Sequence, residues 1–173
     1  MAASTATKTD DSMSVFVISR DFAAPRAVVW RAFTDPEKMK QWWGQKGVTI
    51  VSSKMDLRPG GIYHYGMRTP DGTVMWGRMV YREIVAPERL DFINSFSDEN
   101  AGLTRHPMSP TWPIELSSTF TFAEHNDGTT FTVRWSPLNP TAEERATFEA
   151  GHGSMTGGWT GTLDQLTAYL ART

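Results

Sequence analysis

The chain has 173 residues and a formal net charge of −2, with acidic and basic side chains interspersed. That length suits one ordinary domain with room for a core, and no basic stripe argues for a nucleic-acid partner. The lack of cysteine removes disulfides and thiolate chemistry, and no apolar run approaches the ~20 residues of a membrane span.

Residues 1–13 are small and polar and lack the apolar core of a secretion leader. They are expected to form a disordered tail ahead of a single domain over residues 14–172, in a cytoplasmic protein. Ser14 to Phe22 reads as a first strand, with Phe16, Ile18 and Phe22 on one face. Pro25 suits a helix start, and Val29, Trp30 and Phe33 give that short helix its buried side. Asp35-Pro36 restarts it, Asp as N-cap and Pro at the first helical position. Met39, Trp42 and Trp43 then share a face, and Gly44 and Gly47 close the second helix.

From there to Pro137 the chain reads as β. Val48 to Met55 is a strand, turned by Arg58-Pro59-Gly60-Gly61. Ile62 to Arg68 follows, with Tyr63, Tyr65 and Met67 on one face. Pro70-Asp71-Gly72 is a strong turn signal into Val74 to Val85, whose mixed faces leave it unoriented. Ala86-Pro87-Glu88 turns into Leu90 to Phe96, where Asn94 is the polar member of an apolar face. Ser97 to Pro113 is a long, proline-containing loop, expected to act as a lid with Trp112 facing in. Two cleanly alternating strands follow, with Leu116, Ser118, Phe120 and Phe122 inward, then Phe131, Val133 and Trp135 after the Asn126-Asp127-Gly128 turn.

The last stretch, Thr141 to Thr173, opens on a T-x-x-E capping box at Thr141 and Glu144. Phe148, His152, Met155, Trp159, Leu163, Leu166 and Leu170 fall on one arc of a helix, roughly 45 Å long if unbroken. Gly151, Gly153, Gly157, Gly158 and Gly161 work against that helix and point to space or close backbone approach around it. An antiparallel sheet with one apolar face needs a cover, and this helix is the only long amphipathic element. The expected fold is therefore α+β, a curved antiparallel sheet wrapped around the C-terminal helix, with two short helices after the first strand.

Several segments together carry a family resemblance. A-P-R-x-x-V-W-x-A-F-T-D-P (Ala24 to Pro36), W-W-G (Trp42 to Gly44), D-L-R-P-G-G (Asp56 to Gly61), P-E-R-L (Pro87 to Leu90) and S-M-x-x-G-W-x-x-x-L-x-x-L (Ser154 to Leu166) resemble bacterial homologues of the activator of heat shock protein 90 ATPase. Those proteins belong to the SRPBCC, or START-like, superfamily, whose helix-grip (Bet v-like) fold the resemblance implies here, with a cavity between sheet and last helix. Relatives in that superfamily bind lipids, hormones or polyketides, and a few catalyse cyclisation or hydrolysis. The eukaryotic activator carries a separate N-terminal domain for much of its chaperone contact, and no such domain is found in this sequence.

Among chemical motifs, Glu149 and His152 make E-x-x-H, but a carboxylate-bridged metal site needs a second such motif, so no metal is expected. No nucleophile elbow, phosphate loop or dinucleotide fingerprint is present, and neither a catalytic residue nor a cofactor is assigned. Arg58 and Arg78 are either cavity cations or surface strand arginines. The aromatic set is the best lead. Trp43, Tyr63, Tyr65, Trp76, Phe92, Trp112, Met155 and Trp159 converge if the sheet wraps the helix, with Asn94 and His152 as the placed polar groups.

Three functions follow. The first is a non-enzymatic binding domain for a small hydrophobic or aromatic molecule. The second is a chaperone-interacting, stress-response protein acting through its surface. The third is a cyclase- or hydrolase-like enzyme using the same cavity. A monomer and a homodimer are both compatible with the sequence.

Overall fold

The structure, a computed structural model, describes residues 14–173. The tail expected over residues 1–13 lies outside the described residues. The first strand, β1 (Phe16–Phe22), leads into α1 (Arg26–Thr34) and α2 (Pro36–Trp42). Asp35 caps α2 as its sequence requires, its Oδ1 accepting from the Glu37 N–H at 2.9 Å with Pro36 in the first turn. α1 buries Val29, Trp30, Ala32 and Phe33, and α2 buries Met39 and Trp42.

The remaining strands are β2 (Thr49–Met55), β3 (Ile62–Arg68), β4 (Val74–Val85), β5 (Arg89–Ser97), β6 (Leu103–Thr104), β7 (Leu116–His125) and β8 (Gly128–Pro137). They form one curved antiparallel sheet in the order β1-β8-β7-β5-β4-β3-β2, and β6 pairs with the end of β5. β6 is a departure from the sequence reading, which has Ser97 to Pro113 as loop throughout. Its two residues take the place beside Phe96 and Ser97 that β7 leaves vacant after Asn94↔Leu116.

The register also orients β4. Tyr63↔Met79, Tyr65↔Gly77 and Tyr81↔Phe92 set Gly77, Met79 and Tyr81 on the concave face. The pairing then shifts between Tyr81 and Glu83, so Ile84, opposite Leu90, is inward too. One extra residue reverses the parity of a strand. That bulge is why alternation alone cannot assign its faces.

The helix expected to run unbroken from Thr141 is two helices, α3 (Ala142–Ala150) and α4 (His152–Ala171). The capping box is formed, Thr141 Oγ1 accepting from Glu144 N and Glu144 Oε1 accepting from Thr141 N. The interruption is at Gly151 (φ −90°, ψ 1°), where a Cβ would stand 3.0 Å from the Trp112 ring. A side chain here would press on the tryptophan ring, which glycine avoids. The apolar arc survives the break, with Phe148, Met155, Trp159, Leu163 and Leu166 buried. Arg20 of β1 holds α4 from beneath through Asp164 at 2.5 Å.

Candidate functional site

The concave face has two unlike parts. Toward β7, β8 and β1 it is filled, because α1 drives Phe33 into it. Phe33 stacks on Phe131 at 4.5 Å and meets Phe120 and Phe122 edge-on at 5.3 Å. Toward β3, β4 and β5 there is a hollow of about 620 Å³. α4 packs on β1 and α2, and its Met155 and Trp159 reach across to wall this hollow.

The hollow is walled by Trp43, which caps the end of α2, by Tyr65, Met67, Met79, Phe92 and Phe96 from the sheet, and by Met155 and Trp159 from α4. Trp43 meets Tyr65 at 5.8 Å and Trp159 at 5.7 Å, both edge-on, and so joins the sheet side to the helix side. Tyr65 lies flat along the sheet, because its ring passes over Gly77, where a Cβ would stand 2.5 Å from it. A ring lying on a glycine leaves open the volume it would occupy standing up. Burial pushes the Tyr65 hydroxyl up to about 12, so it stays protonated at neutral pH.

The loop from residue 98 to Pro113 closes one end. Trp112 borders the hollow and leans on Phe148 at 5.6 Å. The loop is fastened to α3 by Arg105 to Glu144 at 3.2 Å and by Thr147 to Thr111 at 2.8 Å. His106 sits inside this end, 4.5 Å from Phe96, and its Nδ1 accepts from the Met108 N–H at 3.0 Å. That bond leaves the ring proton on Nε2, and burial lowers the imidazole's pKa, which favours the neutral form. The other end is a rim of Gln45, Lys46, Thr69 and Pro70, with Lys46 the only Lys or Arg among the described residues on the lining.

Of the residues proposed from sequence, Trp43, Tyr65, Trp76, Phe92, Asn94, Trp112, Met155 and Trp159 border the hollow. Tyr63 and His152 do not. Tyr63 is fully buried beneath Tyr65, stacked at 5.2 Å, with its hydroxyl paired to Ser53 at 2.9 Å. His152 stands edge-on to Phe16 at 5.7 Å and to Phe148 at 5.5 Å, beyond the wall. Glu149, its partner in E-x-x-H, instead accepts from Ser14 Oγ at 2.9 Å. No group of three or more potential metal ligands occurs among the described residues. Trp76 borders the hollow at strand level, but its register opposite Gly66 turns the ring to the outer face, stacked on His64 at 5.0 Å. Arg78 shares that outer face and donates to the Ala101 carbonyl at 2.9 Å, and Arg58 pairs with Asp56 at the surface.

Sequence reasoning did not assign Trp135, Phe96, Met79 and His106 to the site. Trp135 and Phe96 are on faces already read as inward, so alternation was signal enough. Met79 was hidden by the β4 bulge, and nothing local marks His106. Of the five helix glycines, Gly153 and Gly157 have open space where a Cβ would be, while Gly158 and Gly161 meet the Gln45 side chain at 3.4 and 3.2 Å.

No helix among the described residues is long and apolar enough to cross a membrane. The sequence profile of a family described as Activator of Hsp90 ATPase homolog 1-like protein matches residues 23–171. Among solved structures, a Mycobacterium smegmatis protein is similar at 26% identity and a TM-score of 0.75, over 94% of this chain and 93% of that one. A Nitrosomonas europaea protein is similar at 25% identity and 0.73, over 94% and 97%. An Arthrobacter aurescens protein gives 26% and 0.74, over 94% and 88%. No curated protein matches the chain.

Proposed function

The chain belongs to the family of Activator of Hsp90 ATPase homolog 1-like proteins, and from that premise we propose that it is a cytoplasmic, non-enzymatic binding domain for a small hydrophobic or aromatic molecule. The observation that carries this reading is the hollow itself. Its 620 Å³ falls within the ~300–1,000 Å³ of small-molecule sites, and its lining is aromatic and aliphatic with a few polar groups. A non-enzymatic role is favoured because, among the described residues, no carboxylate lines the hollow and the one imidazole there has no partnered nucleophile beside it.

The test is calorimetric titration of the full chain with an apolar aromatic probe such as 2-naphthol, beside a thermal melt. Saturable one-site binding is expected, with stabilisation of about 2.7 kcal/mol when the probe is at a hundred times its Kd. A Met79→Trp variant places a large ring in the hollow and is expected to fold and lose the probe. Wild-type protein that takes up no probe, or a variant that binds it as well as wild type, refutes the reading.

A further inference from the structure

The hollow is mostly apolar, and among the described residues its mouth carries a single charge. Lys46 stands there in a tight turn, Gly44-Gln45-Lys46-Gly47, which the Val48 N–H closes by donating to the Gln45 carbonyl at 3.1 Å. Both glycines are left-handed, with φ of 93° and 91°, a conformation that glycine adopts without steric cost. The turn is wedged on two sides. Gln45 lies against α4, 3.4 Å from where a Cβ on Gly158 would stand and 3.2 Å from one on Gly161. A Cβ on Gly47 would stand 3.2 Å from Pro70, in the turn between β3 and β4. Lys46 is thus placed at the mouth by its backbone, with its own side chain exposed.

Nothing on the lining neutralises that ammonium. Lys46 forms no ion pair with any described residue, and no Asp or Glu among them borders the hollow. Asp71, on the facing turn, is folded back on that turn, accepting from the Thr69 hydroxyl and from the Thr73 N–H at 2.9 Å. Deeper in, the titratable groups are uncharged, because burial favours the neutral imidazole of His106 and keeps the Tyr65 hydroxyl protonated. An anion carried on an apolar body therefore has one place for its charge. At the mouth a carboxylate keeps part of its hydration and gains a cation, whereas burying it further in would leave it unpaired. A cationic head would find no carboxylate there and would face Lys46.

We infer that the hollow takes an apolar acid, an aryl- or alkyl-carboxylate, with its hydrocarbon body against Trp43, Tyr65 and Trp159 and its carboxylate at the mouth on the Lys46 ammonium. This rests on the hollow being a ligand site, and the probes are chosen to separate the two claims. 2-Naphthylacetate, 2-naphthylacetamide and 2-(2-naphthyl)ethylamine share one ring system and nearly one length. At neutral pH the first is an anion, the second its neutral isostere and the third a cation.

Calorimetric titration of the full chain at low ionic strength is expected to rank the acetate tightest and the amine weakest. About fivefold should separate the acetate from the acetamide, the scale of a favourable solvent-exposed ion pair. That step is expected to vanish in about 1 M NaCl, where the screening length is about 3 Å. It is also expected to vanish in Lys46→Met, which keeps the apolar stem, and to persist in Lys46→Arg. Lys46 is exposed, so neither variant disturbs the core. An acetate that binds no tighter than the acetamide, while 2-naphthol still binds, would overturn the acid preference and leave the ligand site standing. A preference that survives in Lys46→Met would overturn the assignment to Lys46. No saturable binding of any probe, 2-naphthol included, would remove the ligand site and the acid preference with it.

Discussion

The two parts of the concave face are built from similar residues and end in opposite states. On the β7–β8 side, Phe33, Phe120, Phe122 and Phe131 interlock, and Phe131 is fully buried. On the β3–β5 side, Tyr65, Met79, Phe92 and Phe96 face about 620 Å³ of space. Apolar content does not separate them. What differs is the plug and the posture of the rings. α1 delivers a phenylalanine into the first part, whereas no helix enters the second, and Tyr65 lies down over Gly77 rather than reaching across. A cavity can therefore be made by where a helix docks and by one glycine, without depleting the face of large side chains.

The strongest test of this contrast is Phe131→Ala. Phe131 touches Phe33, Phe120 and Phe122 in the filled part and does not itself border the hollow. A loss of about 3–5 kcal/mol in a denaturant melt is expected, most of the stability of a domain this size. A loss under about 2 kcal/mol would mean that the filled part is loosely packed, and the contrast would collapse.

Trp159→Ala sharpens the boundary. Trp159 packs on Phe120 at 5.6 Å and Trp135 at 5.5 Å on one side, and forms the wall of the hollow on the other. Trp159 is buried, about 5% exposed, yet it borders the hollow, so a loss near about 3 kcal/mol, the low end for removing a buried tryptophan, is expected, together with loss of probe binding. A loss as large as that of Phe131→Ala, with probe binding intact, would place Trp159 wholly in the filled part.

The contrast also marks how far sequence could see. Alternation on β7 and β8 and the apolar arc ending at Leu170 were enough for the fold, because a half-buried sheet and its covering helix leave periodic traces. The break at Gly151 was not legible, since it is one of five glycines in the stretch and the other four, Gly153, Gly157, Gly158 and Gly161, stay helical. The site was read in composition but not in posture. Tyr63 and Tyr65 share a face in the sequence, yet one lies beneath the other, and only the upper one borders the hollow. Trp76 was named for its ring, and the ring is on the far face, which the bulge at Arg82 concealed.

Gly77→Ala tests the posture of Tyr65 directly. The new methyl would meet the far end of the Tyr65 ring at 2.5 Å, so the ring has to tilt up into the hollow. Because that end of the side chain can move, the expected destabilisation is about 1 kcal/mol, at the low end for overpacking. Probe affinity is expected to fall several-fold as the ring takes the volume. Unchanged affinity with the same destabilisation would show that the hollow does not depend on this crossing.

The smallest expected effect is that of Asn94→Leu, and its sign is the informative part. In a filled core a buried amide is bonded, and replacing it leaves its partners unmet at about 1–3 kcal/mol. Here Asn94 Oδ1 is buried without a protein partner and the residue borders the hollow, so leucine removes an unpaired acceptor and has space beside it. Stability of the unliganded protein is expected to stay within about 1 kcal/mol of wild type, on the stabilising side, since each buried unpaired polar group carries a penalty of that order. Urea melts of the two proteins under one set of conditions measure the difference. A loss of 2 kcal/mol or more would mean that Asn94 is held by partners and that this part of the face is as closed as the other.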